Sequence, residues 1–521
     1  MEATPLQTTF YKEQKQQMKI RIVGHNMKYE AECITMLFFP DEKIVTTEYP
    51  ADTEFPEQDE EDFIEARQQR GLMKVTLHLN GRETSLCRTV LSNPRTPYEE
   101  AEYIMSDMMF TLLCEATGTH PAWGMLTGVR PIKLFHKRLD AGMSREMVAR
   151  EFAQRFYVTE EKIDLALQTA HNEAPILKEA TDDTYSLYIS IPFCPSRCSY
   201  CSFVSHDITS KRAKDILPVY VDRLCEELCC IAQKMAGTGL ALTTVYFGGG
   251  TPTILSAGQL DQICTAVEKN FDLSRLKEYT VEAGRPDTID REKLRTLRRH
   301  RVTRISINPQ TLNDEVLAGI GRKHTAQQII DCFEMAREEG FDDINMDLIA
   351  GLPGETVESF SRTVDRIIAL NPENVTVHTL SIKRSANYGT SWEERLKALQ
   401  LGEQVGQMVS YAQKALIQYG WQPYYLYKQR NTLGNLENTG YCKLGYEGRY
   451  NIYIMDETQT ILAAGGGAVT KLKSNRTGKL ERIFNYKYPF EYVEHFDEIL
   501  KRKDKVVDFF EENRPLPLRE D

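Results

Sequence analysis

Between residues 185 and 419 the chain alternates short apolar segments with longer amphipathic ones six times. The spacing predicts strands at 185–192, 243–247, 279–283, 302–308, 343–349 and 375–380. Helical periodicity falls within 211–236, 256–270, 290–299, 312–339, 355–369 and 391–419. A strand that returns to the same sheet through a helix pairs in parallel, by a right-handed crossover. Six such units confine this part of the chain to the α/β class. A full barrel of this kind needs eight. We therefore expect a partial (β/α)6 TIM-like barrel, with an open doubly wound sheet as the alternative. Around it we expect a flexible stretch at 1–17 and an N-terminal α/β domain at 18–178. The barrel would occupy 179–420, and a C-terminal α+β accessory domain 421–521, with strands at 423–428, 450–455 and 460–464. Asn80-Gly81 between two alternating segments signals a tight hairpin.

Composition removes several functions. With 64 cationic and 75 anionic side chains the net charge is −11, which does not suit a protein that coats nucleic acid. No apolar run approaches the ~20 residues of a membrane span. The first 17 residues have no apolar core of a secretory signal, so a cytoplasmic location is expected. Twelve cysteines in 521 residues are too sparse for a disulfide scaffold.

Three of those cysteines stand together after the first predicted strand. Cys194, Cys198 and Cys201 form C-x3-C-x2-C on a loop. Thiolates so spaced can converge on one iron–sulfur cube. Three ligands for four irons leave one iron open to a substrate or cofactor. Zinc is the alternative, although a structural zinc site usually closes with four ligands. The other motifs also sit where predicted strands end, the edge at which such folds carry chemistry. Gly248-Gly249-Gly250-Thr251 follows the second strand, and glycine lets backbone groups approach a ligand closely. Glu282 ends the third, Gln310 follows the fourth, and Asp347 lies inside the apolar fifth. Arg322 offers a rigid fork for a carboxylate.

The cysteine spacing, with Tyr200 between the last two cysteines, resembles the radical S-adenosylmethionine (SAM) enzymes. The match sharpens at Tyr188-Ile-Ser-Ile-Pro-Phe-Cys194, which resembles the oxygen-independent coproporphyrinogen III oxidase branch. Leu126-Thr-Gly-Val-Arg-Pro-Ile-Lys133 and Gly434-Asn-Leu-Glu-Asn438 look like its coproporphyrinogen dehydrogenase variant, HemZ type. The resemblance implies a radical SAM oxidoreductase with a [4Fe–4S] cluster on Cys194, Cys198 and Cys201, and SAM as cofactor. It places the SAM amino group at Gly249, Gly250 and Thr251. Further SAM contacts would come from Glu282, Gln310, Arg322, Asp347 and Val469, with Tyr188 and Tyr200 as aromatic neighbours. One electron, from a reductant such as flavodoxin or ferredoxin, would release a 5′-deoxyadenosyl radical. The substrate implied is a tetrapyrrole, coproporphyrinogen III or haem. Arg130, Lys133, Arg285, Lys383 and Arg384 are candidate cations for its propionates. One position departs from the oxidase pattern: Phe203 stands where the decarboxylating enzymes carry a further cysteine. The same pattern resembles haem chaperones and haem-degrading methyltransferases of the superfamily.

Overall fold

The computed structural model describes residues 17–40, 42–55, 61–90, 97–201, 203, 205–381, 392–429 and 432–513. Its centre is the run of six parallel strands. Barrel strands 1 to 6 are Thr184–Ile191, Ala241–Gly249, Glu278–Glu282, Arg304–Ser306, Ile344–Ala350 and Asn374–Thr379. Each is hydrogen-bonded to the next in chain order, so every intervening helix is a crossover. Among the described residues the strands do not close into a ring, and the arrangement is the partial barrel.

Alternation along the strands sorts their side chains onto two faces. Leu187, Ile189, Val245, Phe247, Val281, Ile305, Leu348 and Val375 are buried in one large core with residues of the surrounding helices. The opposite parity is polar. It carries Tyr188, Tyr246, Glu282, Ser306, Asn345, Asp347 and His378, joined across strands by hydrogen bonds. A barrel too narrow to be a channel but lined this way is suited to hold a polar ligand.

The expected accessory domain at 421–521 is not a separate body. Glu437–Cys442 adds antiparallel to barrel strand 6, and Gln422–Lys428 adds to it in turn. At the other edge Thr460–Ala464 pairs in parallel with strand 1, followed by Val469–Lys473 and Leu480–Phe484. Both open edges of the six-stranded sheet, with their unpaired backbone groups, are thus covered. The segment expected as a strand at 450–455 is instead the helix Arg449–Asp456. Its Tyr450 and Tyr453, one helical turn apart, are both buried, so packing decides against the aromatic strand propensity.

The N-terminal unit expected over 18–178 also divides. Five strands in the order Ile44–Tyr49, Met18–Val23, Phe63–Gln69, Leu72–Leu79, Arg82–Thr89 form a separate sheet. Helices Lys28–Phe38 and Pro97–Thr117 share its core, which contains Ile20, Val75, Met105 and Met108. Asn80 and Gly81 both take positive φ, 50° and 70°, in the hairpin between its last two strands. The next helices, Ile132–Asp140, Arg145–Phe156 and Glu160–Leu177, place Phe135, Phe152 and Leu165 in the barrel core instead.

Candidate active site

The cysteine loop is fixed at several points. Phe193–Cys194 pairs with His206–Asp207, and Ile208 N donates to the Cys194 carbonyl at 3.0 Å. Ser199 N donates to the Ile320 carbonyl at 3.1 Å, tying the loop to the segment after strand 4. From the glycine segment, Gly250 N donates to Ile191 O and Thr251 N to Phe193 O, both at 2.8 Å. A Cβ on Gly250 would lie 2.5 Å from Phe193 O and 2.9 Å from Ile191 O. Gly249 has φ +105°, where side chains are strained. The glycines therefore let the second strand's end press against the base of the cysteine loop.

Polar groups then surround the thiols. The Thr251 hydroxyl lies 3.5 Å from Cys194 Sγ, in donating geometry. Arg285 Nη1 points at Cys198 Sγ from 3.7 Å, while its other nitrogens engage Ser196 Oγ and the Asp287 carboxylate. Arg285 thus lies against the cysteine loop. Arg322 donates to the Asn308 carbonyl at 2.6 Å and to the Tyr200 hydroxyl at 3.2 Å. Its Nε is buried without a partner. Beside it both ring nitrogens of His324 are buried without a hydrogen bond. Burial and the charges of Arg322 and Arg285 push that imidazole down to about 4, so it is neutral.

The barrel interior brings a second group together. The rings of Tyr188, Tyr246 and Tyr450 stack, with Tyr246 and Tyr450 4.4 Å apart. The Tyr246 hydroxyl donates to Glu282 Oε1 at 2.7 Å. Burial pushes the Glu282 carboxyl up to about 8, and the charge of Asp347 adds to the effect. Asp347 goes the other way. Burial alone would raise it, but His378, Asn345 and Thr376 together hold it below its usual value. One carboxyl is therefore protonated and the other charged at neutral pH, the separation that assigns donor and acceptor roles. Gln310, at the end of strand 4, has φ +66°. Its backbone bridges Asp347 O and Ile349 N, both at 2.9 Å.

Not every expected residue joins these groups. Val469 pairs with Phe484 at the start of its strand. The glycine turn before it is the part that reaches strand 1, where Ser190 Oγ donates to Gly466 O at 2.8 Å. Arg130 and Lys133 are engaged by Glu457 and Asp456 on the helix Arg449–Asp456 and its cap. Lys383 and Arg384 lie outside the described residues. Conversely, Tyr246, Tyr450 and His378 were not singled out from the sequence. For Tyr246 and His378 a signal existed, since both share the parity of Tyr188 and Asp347 within their strands.

The chain is similar to several known proteins. The family model of the radical SAM superfamily matches residues 188–367. The oxygen-independent coproporphyrinogen-III oxidase-like protein HemZ of Bacillus subtilis (strain 168) is 39% identical over 414 residues, 79% of this chain and 82% of that one. The haem chaperone HemW of Lactococcus lactis subsp. lactis (strain IL1403) is 30% identical over 322 residues, 62% of this chain and 79% of that one. A solved structure of coproporphyrinogen III oxidase (HemN) from Escherichia coli superposes with a TM-score of 0.46 at 21% identity, over 63% of this chain and 72% of that one.

A partial β/α barrel with three cysteines on the loop after its first strand is the architecture of a radical-generating SAM protein. The chain belongs to the radical SAM superfamily, in its oxygen-independent coproporphyrinogen III oxidase-like branch. Its cofactors are accordingly a [4Fe–4S] cluster and SAM. Among the described residues no three His, Cys, Asp or Glu side chains stand together as a metal site in this structure, and the fit lies in the chemistry of the donor set: three thiols on one clamped loop, a guanidinium aimed at one of them, and an orphaned buried Arg322 Nε. Among the described residues no helix is long and apolar enough to cross a membrane.

Proposed function

We propose that this chain is a cytoplasmic oxidoreductase that converts coproporphyrinogen III to protoporphyrinogen IX without oxygen, by oxidative decarboxylation of two propionates. The observation that carries this reading is the 39% identity to an oxidase-like protein over 82% of that protein's length. In this reading Cys194, Cys198 and Cys201 hold the cluster. Gly249, Gly250 and Thr251 receive the SAM amino group, and the free Arg322 Nε its carboxylate. Protonated Glu282 donates a hydrogen bond and charged Asp347 accepts one, with Gln310 completing the pocket. Tyr188 and Tyr200 pack beside the cofactors. When bound and reduced by one electron, the cluster and SAM supply a radical that abstracts hydrogen. The chain's own work is to hold that centre dry and oriented toward the barrel interior. A small reductant protein of the flavodoxin or ferredoxin kind supplies the electron.

Phe203 supports a second reading. It is 59% exposed two positions after the third cysteine and has no thiol to offer. A haem chaperone is among the relatives, and in that reading the ligand is haem, bound and passed on unchanged. A haem-modifying methyltransferase is the third reading. Anaerobic incubation with SAM, reductant and either tetrapyrrole separates them. Loss of two carboxyl groups from coproporphyrinogen III, read by mass spectrometry, supports the oxidase. Stoichiometric haem binding with the porphyrin unaltered replaces it with the chaperone. A methylated or opened haem replaces it with the third reading.

A further inference from the structure

The chain as a whole is acidic, at net −11, yet the outer rim of the cysteine loop is cationic. Arg197, between Cys194 and Cys198, is exposed. The charges of Arg197 and Arg212 both act on the His206 ring, on the short strand that pairs with Phe193–Cys194. The Arg212 guanidinium lies 3.9 Å over the Phe490 ring. His206 itself packs 5.0 Å from Phe490 and 5.8 Å from Tyr488. The charge of Lys323 acts on Asp207 of the same strand, and Ser196 Oγ donates to the Gly321 carbonyl at 3.3 Å, which holds the neighbouring segment against the loop. Lys487 adjoins Tyr488 and is exposed.

Among the described residues, none of Arg197, Arg212, Lys323 and Lys487 has a carboxylate within 4.0 Å. Arg197, Arg212 and Lys323 stand around the short strand that pairs with Phe193–Cys194, beside the thiols. Asp207 is the carboxylate among them, and it is turned to the Thr209 backbone. Exposed aromatic surface lies there too, with Phe203 at 59% and Tyr488 at 42%. A cationic rim around apolar side chains is the complement of an acidic protein surface with an apolar centre.

We propose that this rim is the docking face of a small acidic electron-carrier protein. The proposal rests on the reading above that Cys194, Cys198 and Cys201 hold a cluster that must be reduced. The carrier's centre is oxidised by one electron and the cluster is reduced by one. No bond between heavy atoms forms or breaks. Docking at the rim puts the carrier on the outer side of the thiols, away from the barrel interior where the polar residues face. It also gives Phe203 a role that needs no thiol.

The test uses the full-length reconstituted chain and fully reduced flavodoxin as probe. Cluster reduction is followed by visible absorbance in stopped flow, and complex formation by calorimetry, at low and high ionic strength. The variant is Arg212→Glu with Lys323→Glu, with Arg212→Gln and Lys323→Gln as the milder pair. The rim account expects the charge-reversed protein to be reduced about 10–100-fold more slowly by flavodoxin. Its affinity should fall and its salt dependence flatten. Reduction by dithionite, a small molecule that needs no docking face, should keep its rate. Unchanged flavodoxin rate and affinity would overturn the proposal. So would parallel losses with flavodoxin and dithionite in both variants, which would place these cations in holding the loop. No tetrapyrrole enters the assay. If the wild-type chain assembles no cluster, the reading of its function fails, while flavodoxin binding by calorimetry still decides this one.

Discussion

Lys503 is the place where one substitution should disturb the fold most. Its side chain is wholly buried, as is that of Glu227, and their charges meet at 2.9 Å. All three ammonium protons are used: on Glu227, on the Ala463 carbonyl at 2.8 Å, and on Asn485 Oδ1 at 3.1 Å. Glu227 in turn accepts from Gly465 N, the Tyr492 hydroxyl and Asn485 Nδ2. The network joins the C-terminal helices to the glycine turn that lies on strand 1 beside the cysteine loop. Lys503→Met keeps the apolar stem and removes the charge. It leaves Glu227 buried with an uncompensated charge and Ala463 O without its donor. Removing one partner of such a pair costs about 3–5 kcal/mol, a large share of the ~5–15 kcal/mol that holds a typical domain. The double variant Glu227→Gln with Lys503→Met removes both charges and should recover part of that loss. Urea unfolding followed by tryptophan fluorescence and by circular dichroism measures both proteins. A Lys503→Met midpoint equal to wild type, or a double variant no better than the single one, would refute the reasoning.

Three further outcomes follow from the site. Gly250→Ala forces a Cβ against Phe193 and Ile191 backbone and should break two loop hydrogen bonds, about 1 kcal/mol each net. Iron and sulfide content after reconstitution should fall severalfold, and global stability by about 2 kcal/mol. Glu282 is raised to about 8, so the folded chain holds a proton that an unfolded one releases near its ordinary value. Its contribution to stability is therefore greatest at acid pH and declines as pH rises toward 8. SAM affinity should decline through the same range, and Glu282→Gln should remove that pH step in a titration. His324 is lowered to about 4, so the unfolded chain binds the extra proton first. Stability should fall as pH drops from about 6.5 to 4, and His324→Asn should flatten that slope in acid unfolding curves.

Local patterns carried much of the architecture. The six strand–helix units and the Asn80-Gly81 hairpin rest on periodicity and turn chemistry within a few residues. The cysteine spacing is equally local. What the sequence hid is long-range. Nothing in Thr460–Ala464 marks it as the parallel neighbour of Thr184–Ile191, more than two hundred residues earlier. The helix Arg449–Asp456 reads as a strand because Tyr and Ile favour strands, and only the stack of Tyr450 on Tyr188 and Tyr246 shows why it coils. The partners of two candidate substrate cations were hidden for the same reason. Arg130 and Lys133 look free in sequence, but their carboxylates arrive from residues 456 and 457. At the site, their places in the strands pointed to Glu282 and Asp347, whereas their opposite protonation states depend on burial and the Asp347 charge, which raise Glu282, and on His378, Asn345 and Thr376, which hold Asp347 down.

The account turns on the thiols of one loop generating a radical. Its most direct test is the release of 5′-deoxyadenosine from SAM by the reconstituted, reduced protein, compared with Cys198→Ala. The account predicts that the nucleoside forms with the wild-type chain and is abolished by the substitution. Equal release from both, or none from a wild-type protein carrying its full iron, would contradict it.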